Sequence, residues 1–215
     1  RPRVFVVATR APPPPHLLGD SPFRTRAVLA ARDRLPEDLR KAWLDWRASP
    51  PARRNTSLAD ILEPDAAVSW RPQARTQADL DMMAPRQRAR VAELQSAGAR
   101  AVGGVFRRIR IEDGRRVQRA EARFDGLAGC LRTPRGGSSR QGLMVVEADQ
   151  VRTRLITPRE GARLMGLPDT YRLPSSATQA FHVVGDGVCA PVVRWLAETL
   201  LEPLAEAEAR ALAAE

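Results

Sequence analysis

The sequence predicts an α/β protein, and three observations predict it. A nearly continuous apolar run near the start, Val4-Phe5-Val6-Val7-Ala8, reads as a buried strand. Residues 105–124 alternate with a period of two about Asp113-Gly114, the pattern of a hairpin. Apolar residues at helical spacing recur in residues 36–46, 79–97 and 191–204. With 215 residues the chain can bury a core, as one large domain or two small ones.

Composition narrows the function classes. A hydrophobic content of 43%, with four Trp and five Phe, argues for a folded chain rather than a disordered one. No apolar run approaches the ~18 residues of a membrane span, and no signal peptide is visible. Cys130 and Cys189 have no metal-ligand neighbours and fit a reducing, cytoplasmic setting, so no metal is expected. His16 and His182 read as structural. The net charge of +10 points to a polyanion. Almost all the basic residues are Arg, which a GC-rich genome also favours, so location is the better guide. Residues 105–140 hold ten Arg against four acids and so carry most of the excess.

Taken in order, the first strand gives way to Ala11-Pro12-Pro13-Pro14-Pro15, a stiff polyproline spacer. It is either the exit from one domain or a surface loop. Pro36-Glu37-Asp38 opens a helix with acids in its first turn, and Leu39, Trp43 and Trp46 follow at helical spacing. Ser57 to Glu63 makes a short helix with Leu58, Ile61 and Leu62 inward. A further pattern from Asp79 to Ala97 is interrupted at Pro85 and closed by Gly98.

In the hairpin, a two-residue Asp113-Gly114 loop sets Arg108 opposite Arg119 and Arg110 opposite Val117 on one face. Facing arginines repel, and an anion such as a DNA phosphate relieves that repulsion. A solvated charged face is the other reading. The passage Cys130-Leu131-Arg132-Thr133-Pro134-Arg135-Gly136-Gly137-Ser138-Ser139-Arg140 follows. Its glycines admit close backbone approach, and its serines, Thr133 and arginines suit a phosphate-gripping loop. An ordinary glycine-rich turn is the alternative.

The stretch from Arg154 to Asp169 is the most specific. Thr157 followed by Pro158 is a helix start, and Glu160 completes a capping box. Gly166 and Pro168 end the helix within two turns. Near the end of the chain, Val192, Trp195, Leu196, Leu200 and Leu204 line an amphipathic helix, and an Ala/Glu-rich extension follows to Glu215.

Three of these segments resemble motifs of the DNA (cytosine-5) methyltransferases. Thr157-Pro158-Arg159-Glu160-Gly161-Ala162-Arg163-Leu164-Met165-Gly166-Leu167-Pro168-Asp169 is similar to the ninth motif of that family. Gly185-Asp186-Gly187-Val188-Cys189-Ala190-Pro191 is similar to the tenth, and Arg1-Pro2-Arg3 with the strand after it to the end of the eighth. Many members also carry a Thr-Leu, then Gly-Gly, passage late in their target recognition domain; Cys130 stands where that Thr would be.

The resemblance implies an incomplete piece of a doubly wound, S-adenosylmethionine-dependent domain together with a mixed α+β target recognition domain. Residues 1–10 would be a catalytic-domain strand, 11–178 the recognition domain, and 179–215 the return to the catalytic domain. In the family, the target cytosine is flipped out of double-stranded DNA, a cysteine thiolate adds to C6, C5 takes the methyl group, and a base removes the C5 proton so that the C6–sulfur bond breaks and frees the enzyme. Carried over, Arg1 and Arg3 would handle the flipped nucleotide, since a guanidinium stays charged and donates in a plane. Asp186, Gly187 and Val188 would lie along the methionine end of the cofactor. The family usually has Asn at the position of Asp186, and Asp loses the amide donor. Arg159, Glu160 and Arg163 would be architectural, so that Arg163→Ala harms folding more than base chemistry.

Nothing in the chain resembles the family's F-x-G-x-G, Pro-Cys-Gln or Glu-Asn-Val segments. The expected partner is therefore a missing N-terminal catalytic half, in the same polypeptide or as a separate subunit. A non-catalytic DNA-binding module derived from the family is the alternative. Restriction–modification, phage defence and phage self-protection are the biological settings the resemblance offers, in a bacterial or phage-infected cytoplasm.

Overall fold

Asp113 and Gly114 both adopt positive φ (48° and 74°), the requirement of a two-residue hairpin turn that Asp-Gly meets best. The computed structural model describes residues 3–51, 56–131, 133 and 141–213. The turn joins β1 (Ala101–Glu112) to β2 (Arg115–Arg123), and the register sets Arg108 opposite Arg119 and Arg110 opposite Val117, as the sequence predicts. A second hairpin, β3 (Gly142–Glu147) and β4 (Gln150–Leu155), completes an antiparallel sheet in the order β2-β1-β3-β4.

Helices cover both faces of the inner part of this sheet. One face carries Val105, Ala120, Ala122, Met144, Val146 and Val151 into a core with Met83 and Val91. Met83 lies in the link between α3 (Gln73–Asp81) and α4 (Pro85–Ala97), and Val91 lies on α4. The expected break at Pro85 is present, and Gly98, with φ 70°, caps α4 in the left-handed region. The other face carries Leu143 into a core with Leu58, Ile61, Ile156, Ala162, Phe181 and Val184. This layer is built from a 3₁₀ turn at Ala59–Ile61, from α5 (Pro158–Leu164) and from α6 (Ala177–Asp186). A Cβ on Gly161 would lie 3.3 Å from both Phe181 and Val184, so the absence of a side chain there lets α5 and α6 approach.

These elements make one compact unit, Arg54–Ala190. A second unit, Arg1–Arg53 with Pro191–Glu215, is built from the two ends of the chain. These geometric units divide at other points than the functional boundaries 1–10, 11–178 and 179–215 drawn from the motifs. In the second unit, α1 (Arg26–Asp33) starts on a Thr25 cap and α2 (Glu37–Lys41) has the acidic first turn expected. Trp43 and Trp46 do not continue that helix, which is a correction. Its C-cap is Ala42, and the Trp43 indole instead donates to Asp45 (3.0 Å) while Trp46 donates to the Val7 carbonyl (3.2 Å). Phe23 packs edge-on against Trp195 at 5.3 Å.

The last helix runs as α7 (Ala190–Leu196), a π-helical turn (Ala197–Leu201) and α8 (Glu202–Leu212). Pro203 accounts for the interruption, because it has no N–H to donate one turn back and its ring crowds the preceding carbonyl.

The buried strand predicted at the start is not present in this structure. Residues 3–9 form no strand, and Val4 and Val6 are 82% and 88% exposed. The apolar pattern was real, but a strand exists only beside another, and the four-stranded sheet has its core elsewhere.

One loop holds strain. Ala148 opens the β3–β4 turn at φ 48°, which costs a side-chain-bearing residue ~1–2 kcal/mol. Ala148→Gly relieves that at an entropic cost of about 0.5–1 kcal/mol. We expect a net gain of about 0.5–1 kcal/mol in urea unfolding; a loss would show that the turn is not strained.

Candidate nucleic-acid interface and its support

The β1–β2 hairpin projects beyond the helices that cover its base. Ile109 and Ile111 in its outer half are 52% and 77% exposed, whereas Val105 at its base is buried. One face of the hairpin carries Phe106, Arg108, Arg110 and Glu112 on β1 and Glu121, Arg119, Val117 and Arg115 on β2. Arg108 and Arg119 face each other, and two glutamates relieve their repulsion. Glu112 accepts from Arg119 (Nε 2.8 Å), and Glu121 accepts from Arg110 (Nε 2.7 Å) and lies 4.0 Å from Arg108. Arg108 also stacks 4.6 Å above the Phe106 ring. Arg119 beside it holds the Glu112 carboxyl below its usual range. The anion that the sequence reading sought between the arginines is thus supplied from within, by residues that the reading passed over. On the opposite face Arg107 is tied to the buried Asp79 (2.9 Å), which Arg71 also contacts at 3.1 Å.

The hairpin rests on a sheet anchored by α5. The capping box forms as predicted: Thr157 accepts from the Glu160 amide (3.1 Å) and Glu160 accepts from the Thr157 amide (2.9 Å). Arg154 has a structural role that the sequence does not announce. Its guanidinium forms a two-pronged pair with Glu160 at 2.7 and 2.6 Å, and both side chains are fully buried. Glu160 accepts in addition from the Glu63 amide (2.9 Å), so one carboxylate ties β4, α5 and the segment before α3 together. Along β4 Arg154 shares a face with Gln150 and Arg152, so the alternation of the strand reads as solvent-facing and carries no signal of its burial. Arg163 donates to the Ile61 and Leu62 carbonyls (both 3.1 Å) and forks onto Asp169 (both 2.7 Å). Arg159 donates to the Tyr171 carbonyl at 3.0 Å.

Burial alone would push the Glu160 carboxyl up. Arg154 and the amides of Thr157 and Glu63 outweigh it and leave the carboxyl below its usual range. A carboxyl depressed in the folded state stabilises the fold above its unfolded value, near pH 4.3, and that stability is lost as pH falls through the folded value. Glu160→Gln should therefore lower stability at neutral pH and flatten the acid limb of a pH–stability curve. An unchanged acid limb would remove Glu160 from the acid response.

The remaining predicted site residues are spread over both units. Arg3 is exposed near the start of the chain. Arg1, Arg132, Arg135, Gly136, Gly137, Ser138, Ser139 and Arg140 lie outside the described residues. Asp186 closes α6 with Gly187 as its cap, so this part of the tenth-motif segment is a helix end, and Val188 is exposed beyond it. The Thr133 hydroxyl donates to Asp186, which joins the predicted phosphate-gripping passage to the predicted cofactor segment. Cys130 and Cys189 are free thiols, and among the described residues no cluster of His, Cys, Asp and Glu could hold a metal ion. Nor is any helix among them long and apolar enough to cross a membrane.

A family model described as C-5 cytosine-specific DNA methylase matches residues 1–202, through the hairpin, the α5 anchor and the α6 end alike. The chain belongs to that family. Among curated relatives, the Type II methyltransferase M.NlaX of Neisseria lactamica is 29% identical over 184 residues, covering 80% of this chain and 50% of its own. M1.ScrFI of Lactococcus lactis subsp. cremoris is 41% identical over 61 residues, 28% of this chain and 16% of its own. M.HhaI of Haemophilus parahaemolyticus is 41% identical over 46 residues, 21% of this chain and 14% of its own. This methylase-family chain thus spans about half the length of M.NlaX and less of the others. Its fold is mixed α/β with a four-stranded antiparallel sheet.

Proposed function

We propose that this chain is the DNA-recognising and base-handling part of a DNA (cytosine-5) methyltransferase. Together with a catalytic half that carries the Pro-Cys nucleophile, it transfers a methyl group from S-adenosylmethionine to C5 of a flipped cytosine. The observation that carries this reading is the family match through residues 1–202.

Residues 11–178 act as the recognition domain. Arg108, Arg110 and Arg119 on the exposed hairpin, with Arg132, Thr133, Arg135 and the Gly136 to Arg140 passage, take the phosphates of double-stranded DNA. Residues 1–10 act as a strand of a doubly wound cofactor domain, and the segment 179–215, whose first helix packs beside the sheet, returns the chain to it. The exposure of Val4 and Val6 supports this, since an apolar run of this kind suits a strand whose neighbours belong to the other half. Arg3 donates to O2 of the flipped cytosine and Arg1 to a phosphate. Asp186, Gly187 and Val188 lie along the methionine end of the cofactor, which supplies an electrophilic methyl group. An Asp at position 186 has only acceptor oxygens when ionised, so it fits the ammonium of that end and not the carboxylate. The working compartment is the cytoplasm of a bacterium or an infected one, in restriction–modification or phage defence.

The test combines this chain with a candidate catalytic half, labelled S-adenosylmethionine and duplex DNA, and looks for acid-stable label at C5 of cytosine. Label that needs both halves and fails with Arg3→Ala supports the reading. Duplex binding without label, from any catalytic half that itself binds cofactor, would leave a non-catalytic DNA-binding module instead.

A further inference from the structure

The two glutamates on the basic face of the hairpin are placed in a way that ordinary cross-strand pairing does not explain. Glu121 sits opposite Phe106, yet its carboxylate reaches Arg110, two rows further along the ladder. Glu112 sits opposite Arg115, yet it takes Arg119, again two rows away. Each row advances about 6.6 Å along the strands, so both pairs lie lengthwise over a span of about 13 Å. The arginine stems are laid along the ribbon and do not stand out from it. The side chains are partly exposed, Arg110 at 46% beside Glu121 at 20%, and Glu112 at 39% beside Arg119 at 28%. Partly exposed surface pairs of this sort are weak and salt-sensitive, so a better acceptor displaces the carboxylate at modest cost.

We propose that Glu112 and Glu121 set a binding threshold on the recognition hairpin: they hold Arg110 and Arg119 down and repel phosphate until a duplex of the right shape and sequence offers those arginines a full set of acceptors. This rests on the reading of the hairpin as a DNA-contacting face. A random duplex supplies one phosphate acceptor for each guanidinium it draws away, while the stranded carboxylate remains close to the backbone and repels it. A cognate site adds acceptors from base edges, which Arg takes in a bidentate fashion, and the exchange becomes favourable. The glutamates are therefore positioning and specificity-setting residues. They weaken all binding and weaken non-specific binding most.

The experiment measures binding of the full chain to a 30-bp random-sequence duplex from about 50 to 200 mM salt, with thermal melting as a control for folding. Glu112→Gln and Glu121→Gln should each bind that duplex several-fold tighter than the parent chain, with a salt slope steeper by about one. Selection from a random pool should then return a less enriched sequence set. Glu121→Asp keeps the charge and should stay near the parent. Tightening by Glu121→Asp equal to that of Glu121→Gln would overturn the proposal, because repulsion by the carboxylate would then not be the cause. Unchanged or weaker binding by both Gln variants, while Arg110→Gln and Arg119→Gln lose binding, would also overturn it and leave the hairpin as a DNA face. Indifference of all these variants would remove the hairpin from DNA contact and take both readings with it.

Discussion

Arg154→Met will destabilise the unit built on the four-stranded sheet by about 3–5 kcal/mol, the usual cost of leaving one partner of a buried pair uncompensated. Both partners are fully enclosed, so no solvent can replace the two hydrogen bonds of 2.6 and 2.7 Å that Glu160 would lose. For a unit of this size the midpoint of thermal unfolding should fall on the order of 10–20 °C. The pH response should also weaken. Without the guanidinium, burial is opposed only by the Thr157 and Glu63 amides, so the Glu160 carboxyl rises and the variant loses less stability than the parent on acidification. The double variant Arg154→Met, Glu160→Gln should recover most of the loss, because a neutral amide oxygen can still accept from the Thr157 and Glu63 amides. A single variant that melts within about 1 kcal/mol of the parent would show that the pair carries little of the fold. Arg163→Ala should cost less, since its guanidinium is partly exposed and its partners, two carbonyls and Asp169, can turn to water. An Arg163→Ala protein that melts normally but fails in base chemistry would make that residue functional.

Replacing Arg108, Arg110 and Arg119 together by Gln should abolish measurable duplex binding at 200 mM salt while leaving the melting curve nearly unchanged. Three fewer phosphate contacts reduce the salt slope by about 2.7, so between 50 and 200 mM the parent should lose on the order of 40-fold more affinity than the variant. The triple variant also leaves Glu112 and Glu121 unneutralised on the same face, which adds repulsion to the lost attraction. Equal binding by parent and variant across that range would assign the polyanion contact to another part of the chain.

What was legible in the sequence had a local cause. Asp113-Gly114 fixes its own turn type, and from that turn the strand register follows residue by residue. Thr157, Pro158 and Glu160 fix a helix start within four residues. What was not legible depends on partners distant in sequence or on geometry beyond nearest neighbours. The Glu121–Arg110 and Glu112–Arg119 pairs skip a row of the ladder, so a search for directly opposed charges passes over them. The β3–β4 hairpin turns at Ala148-Asp149, a pair without the glycine or asparagine that announces a tight turn. Trp43 and Trp46 kept helical spacing after the helix had ended at Lys41. Val4 to Val7 carry a strand's composition, but composition cannot supply the neighbouring strand.

The unit built from both ends of the chain has a consequence for the order of events at the ribosome. Phe23 meets its partner Trp195 only after every residue of the intervening unit has been synthesised. Chains commonly acquire structure from the amino end onward. Here the middle can close its core while the segment around Phe23 still waits for its counterpart, exposed and available to chaperones or proteases.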